Sequence, residues 1–286
     1  MGKKAIGFIG LGAMGLPMAK NLLRKGFELH VAVHSNPGPI EELKQSGAHS
    51  HSTLSGVVAG CDILITVLPQ DAEMEKVLLS PEVLEGLRPG CLLIEMTSGS
   101  PGMMKKIHAA YQKNGISVLD APVSGGTMGA EKGTLTVMAG GAPEVLESCR
   151  PVLEAMAEKI YRVGPVGTGK AIKAINQMLA GVHMIAAAEA VALAEKLDID
   201  LEMMEQVIGN SSGASWMLLN KLNSMSKRDF TPGFKHRLMK KDVQIAVGEG
   251  SDLSLPLASL ALQLYKMTEK EYGDQDFSAI SKSILT

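Results

Sequence analysis

Residues 5–10 (AIGFIG) form a short apolar run that ends in glycine, and from 13 to 25 apolar residues recur at helical spacing until Gly26, a natural helix stop. The pattern predicts a strand, a tight turn and a helix. Further β-like runs at 29–33, 62–68 (DILITVL), 91–95 (CLLIE) and 117–119 alternate with helix-compatible stretches at 40–46, 71–79 and 101–114. Alternation of this kind predicts an α/β fold with a doubly wound, mostly parallel sheet and right-handed crossovers. Two more strands are expected at 134–139 and 159–163. They flank a helix that Pro143 opens near its first turn, where the fixed φ of proline is tolerated.

After Gly164 the texture changes. Residues 170–196 form one long helical pattern rich in Ala, Leu and Met, apolar nearly all round from Met178 onward. Such a helix must be covered on every face, so it is expected to pass between domains or subunits. The stretch 178–194 is interrupted by His183 and Glu189, which favours a buried helix over a membrane span. Helix-like segments at 203–208, 217–225, 236–249 and 256–270 follow, separated by Gly209-Asn210, Thr231-Pro232-Gly233 and Gly250-Ser251. The expected organisation is therefore a dinucleotide-type domain over 1–163, an interdomain helix over 164–196 and an all-α C-terminal domain over 197–286.

Composition narrows the function classes. The 286 residues are 45% apolar and 20% charged with a formal net charge of −2, which gives no pull toward nucleic acid or a membrane surface. Cys61, Cys91 and Cys149 are widely spaced, without a CxxC pair or a histidine at zinc-ligand spacing, and read as reduced core thiols. The scattered histidines suggest no metal site. Met1-Gly2-Lys3-Lys4 runs into an apolar stretch too short for a signal peptide, so the expected location is cytoplasmic.

Three motifs carry chemistry. Gly10-Leu11-Gly12-Ala13-Met14-Gly15 is a GxGxxG at a strand-to-helix turn, the Rossmann-type arrangement in which glycines admit a pyrophosphate to the helix N-terminus. At the end of the second strand, where a carboxylate would select NAD and an arginine NADP, stand His34, Ser35 and Asn36. All three can donate hydrogen bonds, which tilts the expectation toward NADP and leaves NAD open. Asp120-Ala-Pro-Val-Ser124-Gly125-Gly126 follows the fifth strand and can offer a hydroxyl and unobstructed N–H groups to a small anion; a flexible loop is the alternative. In Gly164-Pro-Val-Gly-Thr-Gly-Lys-Ala-Ile-Lys173-Ala-Ile-Asn176-Gln177, Lys173, Asn176 and Gln177 share one helix face. A lysine in a partly dehydrated site beside a positively charged nicotinamide holds its proton less tightly and serves as a base in alcohol oxidation. An isolated helical lysine is usually solvated, and what lifts Lys173 is the apolar helix it stands on.

Together these motifs resemble those of the β-hydroxyacid dehydrogenase family, which includes 3-hydroxyisobutyrate dehydrogenase and tartronate semialdehyde reductase. The resemblance covers essentially the whole chain. The stretch FIGLGAMGLPMAKNL at 8–22 matches the family's N-terminal signature, 120–126 its substrate loop and 164–177 its catalytic segment. It implies hydride transfer between NAD(P) and a small hydroxy acid, or its semialdehyde or keto acid, in an interdomain cleft. On the matching positions, Ser124, Gly125 and Gly126 would hold the substrate carboxylate, Lys173 would transfer the proton and Asn176 would orient the substrate. Gln177 would also face the substrate, and Leu68, Pro69, Ser98 and Lys241 would contact the cofactor. Gln177 departs from the commoner second asparagine, and the stretches around 175–190 and 213–217 are similar to the L-threonate dehydrogenase branch. Lys235, His236 and Arg237 add positive charge near Lys241, which suggests either a second anionic group on the ligand or a solvated helix face. The alternatives are C=N reduction, as in imine reductases, or a non-catalytic dehydrogenase shell. Lys173 and the Ser-Gly-Gly turn count against the first, Lys173 and Asn176 against the second. The apolar long helix suggests a homodimer or homotetramer.

Overall fold

The computed structural model describes residues 4–32 and 37–285. In chain order the elements are β1 (Ala5–Ile9), α1 (Gly15–Arg24), β2 (Glu28–Ala32), α2 (Gly38–Gln45), β3 (His49–His51), α3 (Leu54–Val58), β4 (Ile63–Thr66), α4 (Asp71–Leu78) and α5 (Pro81–Leu84). They continue as β5 (Leu92–Glu95), α6 (Pro101–Lys113), β6 (Ser117–Asp120), β7 (Val123–Ser124), α7 (Gly126–Lys132), β8 (Leu135–Gly140), α8 (Pro143–Leu153) and β9 (Ala157–Gly164). Helices follow to the end: α9 (Thr168–Lys196), α10 (Leu201–Gly209), α11 (Trp216–Ser226), α12 (His236–Glu249), α13 (Pro256–Tyr272) and a 3-10 segment, Phe277–Ser283. The chain divides into two compact units, Met1–Lys173 and Ala174–Thr286, with the boundary inside α9.

In the first unit six strands run parallel in the order β3-β2-β1-β4-β5-β6, and β8 continues the sheet, pairing antiparallel with β6 and β7 and parallel with β9. Helices cover both faces, so the central strands need apolar residues at successive positions rather than alternate ones. Ile63, Ile65, Leu92 and Ile94 point into one core with Met18, Leu22 and Val137. Their neighbours Leu64 and Leu93 point into a second core with Met74, Met104 and Ile107. This is the expected doubly wound α/β architecture. Among the elements that were not anticipated, β3, α3 and α5 are only three to five residues long, and β3 reads His-Ser-His because it is an edge strand; β7, α7 and the 3-10 segment are others.

The second unit is helical. Ala180, Met184, Ala188 and Val191 of α9 pack with Leu218 and Leu222 of α11, Met239 and Val243 of α12 and Leu262 and Tyr265 of α13. By length and composition alone α9 could cross a membrane, but half of its most apolar window is buried inside the chain, as in a core helix. Its outer face carries His183, Glu189 and the exposed Leu179 and Leu193. Asp276, just before the 3-10 segment, is a buried hub. Its carboxylate pairs with Lys221 Nζ at 2.8 Å and accepts from the N–H groups of Gly233, Phe234 and Ser278 at 3.0, 3.2 and 3.1 Å.

Candidate active site

β1 is the strand from which the sheet grows in both directions, with β2 on one side and β4 on the other. At such a switch point the crossovers leave on opposite faces and open a crevice outside the carboxyl ends of the strands. The glycine turn lies there. Gly10 has φ +102°, and a Cβ on it would lie 2.1 Å from the Val67 carbonyl oxygen; a Cβ on Gly15 would lie 1.8 Å from the Gly10 carbonyl oxygen. Both glycines are therefore required by the turn itself. Gly12 is different, because a Cβ there would meet no atom within 4 Å. Its hydrogen keeps open a space that the protein does not fill. The helix start behind it has no side-chain cap and no acidic residue in its first turn. Leu11, Ala13 and Met14 line the same turn, exposed or half-buried. An uncapped, uncluttered helix N-terminus of this kind fits a dinucleotide pyrophosphate.

Leu68 and Pro69 follow β4, and Ser98 follows β5, so all three stand at the same edge of the sheet as the glycine turn. Thr97 is buried and its Oγ1 accepts from Leu68 N at 2.8 Å, so the first hydroxyl of Thr97-Ser98 ties β4 to β5. The half-buried Ser98 carries the second hydroxyl. His34, Ser35 and Asn36 lie outside the described residues.

Ser124 ends β7, paired antiparallel with Thr136 of β8, and is half-buried, while Gly125 and Gly126 are exposed. The stretch read as a possible flexible loop is thus a short strand running into α7. Gly126 has φ +63° and no atom within 4 Å of a virtual Cβ, which leaves its backbone approachable. A few residues earlier, Asp120 at the end of β6 is fully buried and turned toward α9, where its carboxylate accepts from Gly167 N at 3.0 Å and Lys170 N at 2.9 Å. Burial raises the Asp120 carboxyl above the ordinary range, partly offset by the Lys170 charge and these two N–H groups. The carboxylate caps the start of α9.

Lys170 is 0% exposed, and its Nζ donates to Glu95 Oε2, to Glu95 O at 3.1 Å and to Thr97 O at 2.6 Å. Glu95, also 0% exposed, accepts at Oε1 from Thr97 N at 3.1 Å and Thr66 Oγ1 at 3.3 Å. The first turn of α9 is thereby pinned to the end of β5. Lys173 follows one turn later and is only 8% exposed, far from the solvated state of an ordinary helical lysine.

In the second unit Asn176 is half-buried and Gln177 is 6% exposed. Asn176 Nδ2 donates to Gln177 Oε1 at 3.0 Å, and Gln177 Nε2 donates to Asp242 Oδ2 at 2.8 Å. Asp242 Oδ1 lies 2.9 Å from Lys241 Nζ, within ion-pair range though without hydrogen-bond alignment. The exposed basic residues beside it are paired at the surface. Lys235 and Arg237 both pair with Asp274, and His236 is fully buried with Nε2 3.1 Å from the Tyr265 carbonyl oxygen. Burial lowers the proton affinity of His236, partly offset by the Tyr265 carbonyl. These three residues do not form a free cationic surface.

The histidines are less scattered than their sequence positions suggest. His30 stacks with His49 and His51 across β2 and β3, and its Nδ1 is 2.9 Å from His51 Nε2. His30 Nε2 and His49 Nε2 lie 3.2 and 3.7 Å from Glu28 Oε1, and among the described residues no three His, Cys, Asp or Glu side chains are placed to hold one metal ion.

Two family profiles match this chain, one described as the NAD binding domain of 6-phosphogluconate dehydrogenase over residues 5–164, the other as NAD-binding of NADP-dependent 3-hydroxyisobutyrate dehydrogenase over 167–284. The NAD-dependent L-serine dehydrogenase of Pseudomonas aeruginosa is 40% identical, covering 98% of this chain and 97% of that protein. The chain belongs to the β-hydroxyacid dehydrogenase family. The 2-(hydroxymethyl)glutarate dehydrogenase of Eubacterium barkeri is 38% identical over 97% of this chain and 93% of its own length. Among solved structures, the Mycobacterium tuberculosis 3-hydroxyisobutyrate dehydrogenase with L-serine superimposes with a TM-score of 0.92 at 34% identity, covering 100% of both chains. This β-hydroxyacid dehydrogenase is thus an NAD(P)-dependent oxidoreductase acting on hydroxy acids.

Sequence reasoning missed the polar residues that support the site. Lys170 and Asp242 gave a signal that could have been used. Buried positions 170, 173, 174 and 177 on α9, and 239, 242, 243 and 246 on α12, fall at i, i+3, i+4 and i+7. A charged residue on such a stripe must find a partner inside the protein.

Proposed function

We propose that this dehydrogenase oxidises a small hydroxy acid with Lys173 as the group that removes the hydroxyl proton, and that it runs the reverse reduction with Lys173 as the acid. The observation that carries the reading is the burial of Lys173 one turn after the anchored Lys170, in a helix whose first turn is fixed by Asp120 and Glu95. Ser124 Oγ, the exposed Gly125 and the approachable backbone of Gly126 hold the substrate carboxylate. Asn176 and Gln177 orient the rest of the substrate. The turn Gly10, Leu11, Gly12, Ala13, Met14 and Gly15, with Leu68, Pro69, Ser98 and Lys241, holds the dinucleotide.

When bound, the nicotinamide accepts or returns a hydride at C4. In oxidation the carbinol carbon gives up its hydrogen with both bonding electrons while Lys173 Nζ takes the hydroxyl proton, leaving a carbonyl. Holding the carboxylate at a fixed distance from Lys173 turns this into a reaction between positioned groups. L-serine, 2-(hydroxymethyl)glutarate and 3-hydroxyisobutyrate, named for the relatives above, share a carboxylate and a CH2OH on the same carbon. They differ in the third substituent there, so that substituent is where specificity lies. The donors that His34, Ser35 and Asn36 bring in the sequence favour NADP over NAD as the cofactor. Exposed Met203, Val207, Trp216, Leu257, Leu260 and Met267 of the second unit support a homodimer or homotetramer.

The test is turnover of L-serine, L-threonate and 3-hydroxyisobutyrate with NAD and with NADP by wild type and Lys173→Ala. The substitution is expected to lower kcat by roughly 10²–10⁴-fold with cofactor affinity unchanged. Turnover within a few-fold of wild type would remove Lys173 from the proton transfer.

A further inference from the structure

The geometry points to Asp242 as a positioning residue that fixes the polarity of an amide relay, Asp242–Gln177–Asn176, so that the site selects substrates whose third substituent is a hydrogen-bond donor. An ionised carboxylate only accepts. Lys241 Nζ at 2.9 Å holds a positive charge against Asp242 Oδ1, and Oδ2 takes the hydrogen bond from Gln177 Nε2 at 2.8 Å. Asp242 is 2% and Gln177 6% exposed, so water does not compete freely for either group. With Nε2 directed at Asp242, Gln177 turns its Oε1 toward Asn176, and that oxygen takes a donor, Asn176 Nδ2, at 3.0 Å. An amide that gives its nitrogen to one side presents its oxygen on the other. Asn176 therefore offers Oδ1, an acceptor, along the edge facing away from Gln177.

The inference rests on the reading that Asn176 meets the substrate. The reacting hydroxyl gives its proton to Lys173, and the substrate carboxylate, itself an acceptor, goes to Ser124–Gly126. What remains for Asn176 Oδ1 is a second donor, an ammonium or hydroxyl on the carbon that bears the carboxylate. A methyl group there leaves the acceptor facing an apolar surface, and an unpaired acceptor in a dehydrated site costs as much as a lost hydrogen bond. The chain-specific element is Gln177, whose extra methylene relative to asparagine spans the gap from α9 to Asp242 on α12.

Three substrates that differ in this substituent test the relay: L-serine (ammonium), glycerate (hydroxyl) and 3-hydroxyisobutyrate (methyl). The full-length enzyme is expected to show kcat/KM for serine and glycerate roughly tenfold or more above that for 3-hydroxyisobutyrate, the size of one hydrogen bond. Asp242→Asn replaces the fixed acceptor by an amide that can turn over. Gln177→Met breaks the relay while leaving the Asp242–Lys241 pair. Either is expected to collapse the discrimination to within about threefold, mainly through higher KM for serine and glycerate, whereas Asp242→Glu retains most of it. If one variant does not fold, the other gives the reading. A wild-type preference for 3-hydroxyisobutyrate would overturn the inference. So would a preference for serine but not glycerate, which a simple charge effect of Asp242 would give, or variants that slow all three substrates in proportion. Turnover of none of the three by wild type would remove the hydroxy-acid reading, and the inference with it.

Discussion

The buried Lys170–Glu95 pair offers the sharpest energetic test of how the site is held. Lys170→Met keeps the length of the side chain and removes its charge. Three hydrogen bonds go at once: those to Glu95 Oε2, to Glu95 O and to Thr97 O. Glu95 keeps its bonds from Thr97 N and Thr66 Oγ1 at Oε1, but Oε2 is left as part of an uncompensated charge at 0% exposure. Removing one partner of a buried ion pair costs about 3–5 kcal/mol. For a unit the size of Met1–Lys173 each kcal/mol moves Tm by roughly 2–4 °C, so the transition of that unit should fall by about 10 °C. Glu95→Gln in the same background removes the stranded charge, retains an acceptor for Thr97 N and Thr66, and should restore about 2 kcal/mol or more. Differential scanning calorimetry of the four proteins completes the cycle. The single tryptophan, Trp216, stands on α11 in the second unit, so its fluorescence reports that unit while calorimetry reports both. A fall of less than 2 °C for Lys170→Met, or a double variant whose loss equals the sum of the singles, would refute the claim that the two charges stabilise each other.

Two further outcomes follow from particular atoms. Gly12→Ala places its Cβ in open space and should leave Tm within about 2 °C, in the range of surface substitutions, while weakening dinucleotide binding at least tenfold by fluorescence titration. Gly15→Ala drives a Cβ to 1.8 Å from the Gly10 carbonyl oxygen and should destabilise the turn itself; equal effects on Tm would show that Gly12 is structural too. At Asp276 burial alone would raise the carboxyl, but the Lys221 charge and the hydrogen bonds from Lys221 and Ser278 outweigh it and hold the carboxyl below the ordinary range. A depressed folded value means stability that is present above the unfolded value near 4 and lost as pH falls through the folded value. Asp276→Asn should therefore cost about 2–3 kcal/mol, the scale of hydrogen bonds to a charged group, in urea titrations at pH 7 and progressively less below pH 4, and a cost that does not shrink in acid would contradict the assignment.

The sheet was legible because its strands are buried on both faces and therefore write themselves as runs such as DILITVL and CLLIE. The helix after Gly10 was legible because the glycines and the apolar period agree. β3 was not, since His49-Ser50-His51 sits at the sheet edge and has nothing apolar to bury on its own strand. β7 and α7 were hidden by Ser124-Gly125-Gly126, where local composition favours a loop and pairing with Thr136 and Val137 decides otherwise. Asp120 looked like the first residue of an anion loop. Its carboxylate is instead committed to N–H groups 47 and 50 residues later. No local pattern carries that information, because the partner is brought in by the fold.

Lys170 and Asp242 share a property that separates them from the residues expected to touch the ligands. Each lies on a buried stripe of its helix, and each carries a charge that is useless for burial and costly without partners. An apolar side chain at either place would pack well enough to stabilise its helix, yet it would leave the helix free to settle at a range of rotations about its axis. A lysine whose three donors must meet Glu95 Oε2, Glu95 O and Thr97 O allows one rotation of the first turn of α9. Lys173 stands three residues on and inherits that direction, about 60° round the helix from Lys170. An aspartate that must take Gln177 Nε2 imposes the same kind of restriction on an amide rather than on a helix. In both places the sequence gives up packing energy for direction, and direction is what proton transfer and donor selection require.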